Sequence, residues 1–368
     1  MLDLLLLSKD APIARIEDGV VNAIEPLRLP LFLKRTGDIA SWLESRAIDG
    51  QRINSRLLKR ALRLESRDDI TAVLRVNAAT ITDNYWVKPL DDGITRYEDI
   101  RFKMNAFDNL ALFGDVNSFS QPPSRTPELT NTGSFEKCWR LENGEWWMYK
   151  AGKEEELFSE LLAFKTGEAL GLPMAQYEAA GEYIKSRDFT ENANMDFEPA
   201  ISVIGDKSDY IEIYEILLSI GEGFTEQYVK MCYFDGLILN MDRHENNFGL
   251  LRNSDTGAII SLAPLYDHNL SIVSRGYPAR DPNDALIGDF TALMKHTGSS
   301  VKMPKLTLRA LSDMINGIPF EPPVTVDVPN PREFTAHYLL RRQEVLRDRN
   351  RDLLRLSAPK GRDESRCF

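Results

Sequence analysis

A polar segment between an apolar helix and a β-hairpin constrains this chain more than any other feature. The apolar pattern from about residue 225 predicts the helix, which ends in the polar segment 235–249. A hairpin is predicted for residues 248–263, and Pro264-Leu265-Tyr266-Asp267 follows it. Because the two strands of a hairpin bring their outer ends together, we expect Asp267, which follows the hairpin, to lie close to Asn247, which precedes it. Polar residues at such a junction are typical of a functional site.

The residue types at this junction suit phosphoryl transfer from ATP. That reaction needs one carboxylate to orient the attacking hydroxyl group, and an amide and a second carboxylate to hold Mg²⁺ on the phosphates. Asp242 and Asn247 are five positions apart, which is the spacing of the catalytic Asp and the metal-binding Asn in protein kinases. With Asp267, the sequence predicts a single site of three oxygen-bearing side chains.

The same segments resemble a known family, the HipA-like serine/threonine protein kinases of bacterial toxin–antitoxin systems. The family patterns T-D-x-H-x-x-N-F-[SG] and L-[AT]-P-x-Y-D resemble Met-Asp-Arg-His-Glu-Asn-Asn-Phe-Gly at 241–249 and Leu-Ala-Pro-Leu-Tyr-Asp at 262–267. The resemblance implies that Asp242 is the catalytic carboxylate and that Asn247 and Asp267 bind Mg²⁺. The order Asp-Arg-His is also seen in phosphatidylinositol kinases, so a lipid or small-molecule kinase is the alternative.

The resemblance also assigns nucleotide-binding residues upstream. Lys150 ends the second strand of a predicted hairpin, where a kinase places the lysine that contacts the α- and β-phosphates. Glu160, in the following helix, resembles the glutamate of the family's N-E motif and would pair with this lysine. Gly133 and Ser134 occupy the place of the family's phosphate loop, S-x-x-G-A-x-x-K, whose backbone N–H groups can hold phosphate oxygens. Residues 185–189 fall where the adenine-binding hinge is expected, with no single residue selected.

We predict an α+β protein with a two-lobed, protein-kinase-like fold, because a strand-rich part precedes a helix-rich part. The prediction comprises an N-terminal α/β accessory region at 1–115, a small β-rich lobe at 116–205 and a larger helical lobe at 206–368, with ATP and Mg²⁺ in the cleft between the lobes. The boundary near 116 rests on residues 118–127, whose three prolines and small polar residues predict an extended connector.

Local patterns predict the individual elements. The first seven residues read as a buried strand, residues 39–64 as a helix pair, 68–74 as a further helix and 85–88 as a short aromatic strand. The Asn143-Gly144 dipeptide predicts a tight hairpin. Further strands are expected around 175–185 and 198–204, and everything after about 210 should be helical except the hairpin at 248–263. The arginine-rich segment 341–355, with acidic residues interleaved, predicts a solvated helix face.

Charge and cysteine usage restrict the partners and the compartment. The chain has 45 Lys and Arg against 56 Asp and Glu, a net charge of −11, so direct nucleic-acid binding is not expected. Any DNA contact would be made through a small antitoxin partner, as the family resemblance implies. No apolar run reaches the length of a membrane span, and three widely separated cysteines give no disulfide framework. We therefore expect a cytoplasmic protein whose substrate is a Ser or Thr of another cytosolic protein.

Two further alternatives use the same residues. A catalytically silent, kinase-like binding module would keep the fold without phosphoryl transfer. A metal hydrolase would use Asp242, His244, Asp267 and His268 as metal ligands, but the chain has only four histidines, too few for a two-metal site. Asp235, seven residues before Asp242, would either hydrogen-bond the catalytic loop or lie on the helix surface.

Overall fold

The computed structural model describes residues 2–64, 69–120, 125–277 and 285–357. The first elements are β1 Leu4–Ser8, β2 Ala11–Glu17, β3 Val20–Ala23, α1 Leu31–Thr36, α2 Ile39–Glu44, α3 Ser55–Ala61, α4 Asp69–Leu74, β4 Tyr85–Pro89, α5 Tyr97–Ile100, α6 Asp108–Phe113, β5 Lys137–Glu142 and β6 Glu145–Lys150. Next come α7 Glu154–Ala169, β7 Tyr177–Ala180, β8 Tyr183–Arg187, β9 Met195–Pro199, α8 Ile201–Ile204, α9 Tyr210–Ile220, α10 Glu222–Ile238, β10 Gly249–Asn253 and β11 Ile259–Leu262. The last are α11 Ala285–Thr297, β12 Val301–Pro304, α12 Leu308–Asn316, α13 Pro331–Arg349 and β13 Leu354–Ser357.

The chain forms two compact units, each assembled from several segments. The first unit contains Met1–Gly152, Ala175–Asp206 and Phe248–Ala263, and the second contains Lys153–Met174, Lys207–Asn247 and Pro264–Phe368. The division into an accessory region and two lobes stays a prediction. No helix within the described ranges is both long and apolar enough to span a bilayer.

An antiparallel sheet with the strand order β3-β2-β1-β4 begins the first unit. Its central strand β1 is almost entirely buried, as predicted for the apolar start of the chain. The predicted helix pair is confirmed as α2 and α3, and the aromatic strand as β4. The helix predicted from Asp68 is observed from Asp69, and Asp68 itself lies outside the described residues.

A second antiparallel sheet in this unit has the order β5-β6-β8-β7. The Asn-Gly hairpin joins β5 to β6, with φ of +53° at Asn143 and +84° at Gly144. Positive φ at both central residues is the type I′ geometry that matches the twist of the flanking strands. The predicted hairpin is therefore confirmed.

The strand predicted at 198–204 is wrong in its position. The strand is β9, which ends at Pro199, and residues 201–204 form the short helix α8. A short apolar run satisfies either period, so the sequence pattern did not separate strand from helix there. β9 joins the hairpin of β10 and β11 in a three-stranded sheet, which confirms the predicted hairpin at 248–263.

The predicted extended connector at 118–127 is also corrected. Short 3₁₀ turns occupy both ends, at Val116–Ser120 and Pro127–Thr130. Residues 121–124 lie outside the described part of the chain. Thr126 caps the second turn by accepting a hydrogen bond from the N–H of Glu128, which favours a turn over an extended chain.

The second unit is helical, but it also contains a parallel strand pair that the sequence pattern did not predict. β12 pairs with β13 from Val301↔Leu354 to Pro304↔Ser357. The arginine-rich segment is not uniformly solvated either. Arg342 on α13 is fully buried, and its guanidinium donates to the carbonyl of Gly236 in α10 at 2.5 Å (Nη2) and 2.8 Å (Nε). An arginine can lie inside a helical unit when carbonyl groups accept its hydrogen bonds.

A buried polar network crosses the core of the first unit. Asp196 on β9 accepts hydrogen bonds from the backbone N–H and the Nδ2 of Asn84, at 2.9 and 2.7 Å. Its burial, followed by the nearby charge of Asp83, raises its pKa from 3.8 to about 6. Between these two values the folded protein holds a proton that the unfolded chain has lost, so rising pH favours unfolding.

We predict that Asp196→Asn removes this pH-dependent loss of stability. The pKa shift from 3.8 to about 6 is equivalent to at most about 3 kcal/mol. The free energy of unfolding of the variant minus that of the wild type should therefore rise by up to this amount between pH 4 and pH 7, measured by urea denaturation. Asp18→Asn, at an exposed position, is the control. A difference that does not change with pH would contradict the assignment.

Candidate active site

The loop that carries Asp242 begins where α10 ends. Leu239 adopts the left-handed conformation, with φ of +53°, and its N–H donates to the carbonyl of Asp235. Asn240 then donates twice to Asp235, from its backbone N–H to the carbonyl at 2.9 Å and from Nδ2 to Oδ1 at 2.8 Å. Two backbone hydrogen bonds and one side-chain hydrogen bond to Asp235 thus close the last turn of the helix, and the chain continues into the loop that carries Asp242.

A buried ion pair holds this loop. The Arg243 guanidinium donates from Nε to Oδ2 of Asp235 at 2.9 Å and from Nη2 to Oδ1 at 3.0 Å. The two side chains are 4% and 0% exposed, so little water screens the pair. Burial by itself disfavours the charge of Arg243, but Asp235 outweighs it and the pKa of Arg243 is raised.

The same guanidinium joins the two ends of the segment that the hairpin interrupts. Nη1 of Arg243 donates to the carbonyl of Asn247, before the hairpin, and to the carbonyl of Tyr266, after it, at 3.1 Å. The Tyr266 hydroxyl donates in turn to the carbonyl of Asn246 at 2.8 Å. These contacts place the residue before Asp267 beside the loop that carries Asp242.

Asn247 contacts Asp242 directly. Its Nδ2 donates to the Asp242 carbonyl at 2.8 Å and lies 3.3 Å from the carboxylate Oδ2. Asn247 is buried and Asp242 is half-buried. Since the amide nitrogen faces Asp242, the amide oxygen Oδ1 is the atom that can coordinate a cation. The distance fits the shared metal–phosphate site predicted from the spacing of these residues.

Asp267 lies at the other edge of this cluster in a restricted backbone conformation. Its φ is +60°, a left-handed value that L-residues other than Asn and Asp seldom adopt. Its charge is close enough to Arg243 to contribute to the raised pKa of that guanidinium. The carboxylate of Asp267 therefore lies in the electrostatic field of the same guanidinium that holds the loop.

Glu160 and His268 form a buried pair that contacts the cluster through Arg243. Oε1 of Glu160 accepts the backbone N–H of His268 at 2.8 Å, and both side chains are fully buried. Nε2 of His268 lies 2.9 Å from Nη2 of Arg243. A guanidinium can only donate, so Nε2 accepts and the ring proton is on Nδ1, 3.8 Å from Oε1 of Glu160. Burial lowers the pKa of His268, which keeps the ring neutral.

The predicted nucleotide-binding residues other than Glu160 belong to the first unit. Lys150 ends β6 as predicted, and it is buried rather than facing solvent. Gly133 and Ser134 lie in an exposed turn, and the φ of +98° at Gly133 is one that glycine adopts without strain. The pairing of Lys150 with Glu160 stays a prediction, as does the hinge at 185–189.

Sequence reasoning identified the three polar residues of the cluster and offered Asp235 as a residue that could hold the loop, but it missed the role of Arg243. Asp235 does not lie on the helix surface, and its carboxylate binds the loop through side chains. In the sequence, Arg243 was noted only as the middle residue of the order Asp-Arg-His. The signal that could have identified it is a charge at the centre of a polar loop, eight residues after an aspartate in an otherwise apolar helix. His244 is exposed, and its Nδ1 accepts the N–H of Asn246 at 3.2 Å.

The cluster offers oxygen donors of the type that Mg²⁺ prefers. Within the part of the chain that the structure describes, no three His, Cys, Asp or Glu side chains gather to form a metal site by themselves. Mg²⁺ on a nucleotide needs only one or two protein carboxylates, because phosphates and water supply the other ligands. The residues therefore fit a nucleotide-bound Mg²⁺. They do not fit the metal hydrolase, in which the protein would supply most of the ligands.

Comparisons with known proteins identify the fold that carries this site. No protein-family model matches the chain, and no curated protein matches it significantly. A solved complex of Shewanella oneidensis MR-1 HipA with HipB and its operator DNA matches at a TM-score of 0.58 and 14% identity, over 93% of this chain and 96% of that chain. The Helicobacter pylori proinflammatory kinase CtkA matches at a TM-score of 0.42 and 14% identity, over 58% of this chain and 90% of that chain. The predicted HipA-like fold is confirmed by the first of these matches.

We predict that Arg243→Met destabilises the second unit strongly. The substitution leaves the Asp235 carboxylate buried without its cation, a change that typically costs about 3–5 kcal/mol. Adding Asp235→Asn should recover part of this loss, because the uncompensated charge is then removed. Urea denaturation checks both variants. Arg309→Met, at a 93% exposed arginine, is the control and should change stability by less than about 1 kcal/mol. Equal effects of the two arginine variants would contradict the role of the buried pair.

Proposed function

We propose, from the HipA-like fold and the polar cluster, that this protein is an ATP- and Mg²⁺-dependent serine/threonine protein kinase. The observation that carries the proposal is the contact of Asn247 with Asp242, at 2.8 and 3.3 Å, beside the returning segment that ends in Asp267. A phosphotransferase needs a carboxylate for the attacking hydroxyl group next to an amide and a carboxylate for the metal. The fold match by itself supports only the architecture, since one fold hosts many activities.

Each residue of the cluster has a defined task in this proposal. The Asp242 carboxylate orients the attacking Ser or Thr hydroxyl group and accepts its proton. The Asn247 Oδ1 and the Asp267 carboxylate would hold Mg²⁺, which neutralises charge on the phosphates when bound. Arg243 acts through the others, because it fixes the backbone on both sides of the hairpin. Gly133, Ser134, Lys150 and Glu160 keep the nucleotide-binding roles that the family resemblance implies.

The proposed partners follow from the family and from the fold match. The solved neighbour is a toxin–antitoxin complex of HipA with HipB and operator DNA. We propose a small DNA-binding antitoxin as a partner of this chain, and a cytosolic protein as the phosphoacceptor. The net charge of −11 disfavours direct nucleic-acid binding by this chain.

Incubation of the purified protein with γ-labelled ATP, Mg²⁺ and cell lysate tests the proposal. The wild type should label a protein band at Ser or Thr, whereas Asp242→Asn should lower labelling by roughly 10²–10⁴-fold because the proton acceptor is lost. Nucleotide binding by this variant should persist. Asp313→Asn, at a 74% exposed position, should label like the wild type.

The outcomes separate the alternatives. Label confined to lipid or small-molecule fractions would favour the lipid or small-molecule kinase. Nucleotide binding without any transfer by the wild type would indicate a catalytically silent binding module.

Asp267→Ala should produce a different defect from Asp242→Asn. Because its carboxylate is assigned to the metal, its loss should weaken ATP binding in the presence of Mg²⁺ and leave the metal-free affinity nearly unchanged. Calorimetric titration of ATP with Mg²⁺ and with EDTA measures the two affinities. An equal loss in both conditions would contradict the metal role of Asp267.

Self-phosphorylation of the phosphate loop is part of the same proposal. Thr132 and Ser134 are exposed in the turn around Gly133, whereas Thr130, which precedes the turn in the sequence, is buried. A phosphate on an exposed hydroxyl group there would repel the nucleotide phosphates by charge. Mass spectrometry after incubation with ATP should find phosphate between residues 124 and 134, of which Ser124 lies outside the described residues. Unmodified peptides from an active enzyme would exclude this regulation.

A further inference from the structure

The turn that carries Gly133 is closed at its base by one buried arginine. Arg52, which follows α2 in the N-terminal part of the chain, donates from Nη1 to the carbonyl of Asn131 at 3.2 Å and from Nη2 to the carbonyl of Lys137. These two carbonyls flank the segment 132–136, which includes the exposed residues 132–134. A single planar guanidinium therefore holds both ends of the loop. We call this arrangement the Arg52 clamp.

The charge of the clamp is balanced by residues that also belong to the base of the loop. Arg52 is 0% exposed and lies 3.5 Å from Oε2 of Glu128, which is also 0% exposed. Glu128 accepts hydrogen bonds from Nδ2 of Asn131 at 2.9 Å and from the backbone N–H of Trp139 at 2.7 Å. Through this carboxylate, the residue before the loop and strand β5 after it are fixed to the same point.

A second residue from the same N-terminal segment, Asn54, holds the loop through the carboxylate of Glu136. Asn54 donates from its backbone N–H to Oε1 of Glu136 at 3.2 Å and from Nδ2 to Oε2 at 2.7 Å. Arg52 approaches the same carboxylate, with Nε 3.9 Å from Oε2. Nε of Arg52 itself has no hydrogen-bond partner among the described residues. The guanidinium is therefore directed at the loop carbonyls and at Glu128.

We infer that Arg52 is a positioning residue of the phosphate loop, and that Asn54 supports it from the same segment. The inference rests on the proposed function, because it assumes that backbone N–H groups near Gly133 receive nucleotide phosphates. It assigns a task to the N-terminal region of the chain, namely to hold the two ends of the loop at a fixed separation. Lysine cannot replace the clamp fully, because an ammonium group lacks the planar fork that reaches two carbonyls at once.

The test compares nucleotides that differ only in their phosphates. Competition against a fluorescent ATP analogue gives the affinities of ATP and adenosine for the full-length wild type and for Arg52→Met. The variant should lose roughly tenfold or more in ATP affinity and keep adenosine affinity within about twofold, since only the phosphates meet the loop. Arg52→Lys should fall in between. In the labelling assay, KM for ATP should rise more than kcat falls.

Arg46→Met is the matched control in the same region. Arg46 is also buried and pairs with Asp83 at 2.8 and 3.0 Å, but none of its hydrogen bonds reaches the loop. Its variant should keep the wild-type ratio of ATP to adenosine affinity. Where Arg52→Met fails to fold, Asn54→Ala is the second variant, with a smaller loss in the same direction.

The outcomes separate this inference from the proposed function. If the wild type binds ATP and the Arg52 variants keep its ratio of ATP to adenosine affinity, only the clamp is overturned. A parallel loss of ATP and adenosine affinity would also overturn it, because that pattern indicates a purely structural role. If the wild type binds neither ligand, the proposed function itself is overturned.

Discussion

The buried ion pair of Asp235 and Arg243 is the interaction on which the rest of the site depends. The two side chains are almost inaccessible to water, so the charges must be satisfied by each other and by hydrogen bonds within the protein. Asp235 meets this requirement with Asn240, and Arg243 meets it with two backbone carbonyls and His268. These hydrogen bonds offset the cost of burying the charges. One of them holds the carbonyl of Asn247, whose side chain contacts Asp242.

Buried arginines organise both units in the same physical way. Four arginines are almost or fully buried, namely Arg52 and Arg252 in the first unit and Arg243 and Arg342 in the second. Each donates to backbone carbonyls of segments that are distant in sequence. A guanidinium carries several donors in one plane, so it can join two or three irregular segments that no helix or sheet connects. Loops that would otherwise be held only by their ends thereby become rigid, which a site on loops requires.

The agreement of fold at low sequence identity has a related explanation. Hydrophobic patterning and turn chemistry specify the order of the elements, and many different sequences meet those requirements. A small set of polar residues specifies the chemistry, and these need only the correct spacing and a rigid support. The resemblance that was visible in the sequence therefore rested on a few short motifs, whereas the fold match covers nearly the whole chain. Activity has to be argued from the site itself.

Much of the local structure was determined by the sequence alone. The Asn143-Gly144 turn, the hairpin at 248–263 and the helix that begins at Glu154 follow from local residue preferences, which act over a few neighbouring residues. The spacing of Asp242 and Asn247 likewise predicted their proximity. Errors arose where two structures satisfy the same pattern, as at 201–204, or where distant strands pair, as in β12 with β13.

Tertiary structure alone decided which charged residues are buried. Arg52, Arg243 and Arg342 look like ordinary surface arginines in the sequence, because nothing local distinguishes a buried guanidinium from a solvated one. Their burial depends on carbonyl and carboxylate groups supplied by segments up to about a hundred residues away. A residue's type and spacing give its chemistry, but only the packing of distant segments determines whether that chemistry is exposed to water or fixed inside the protein.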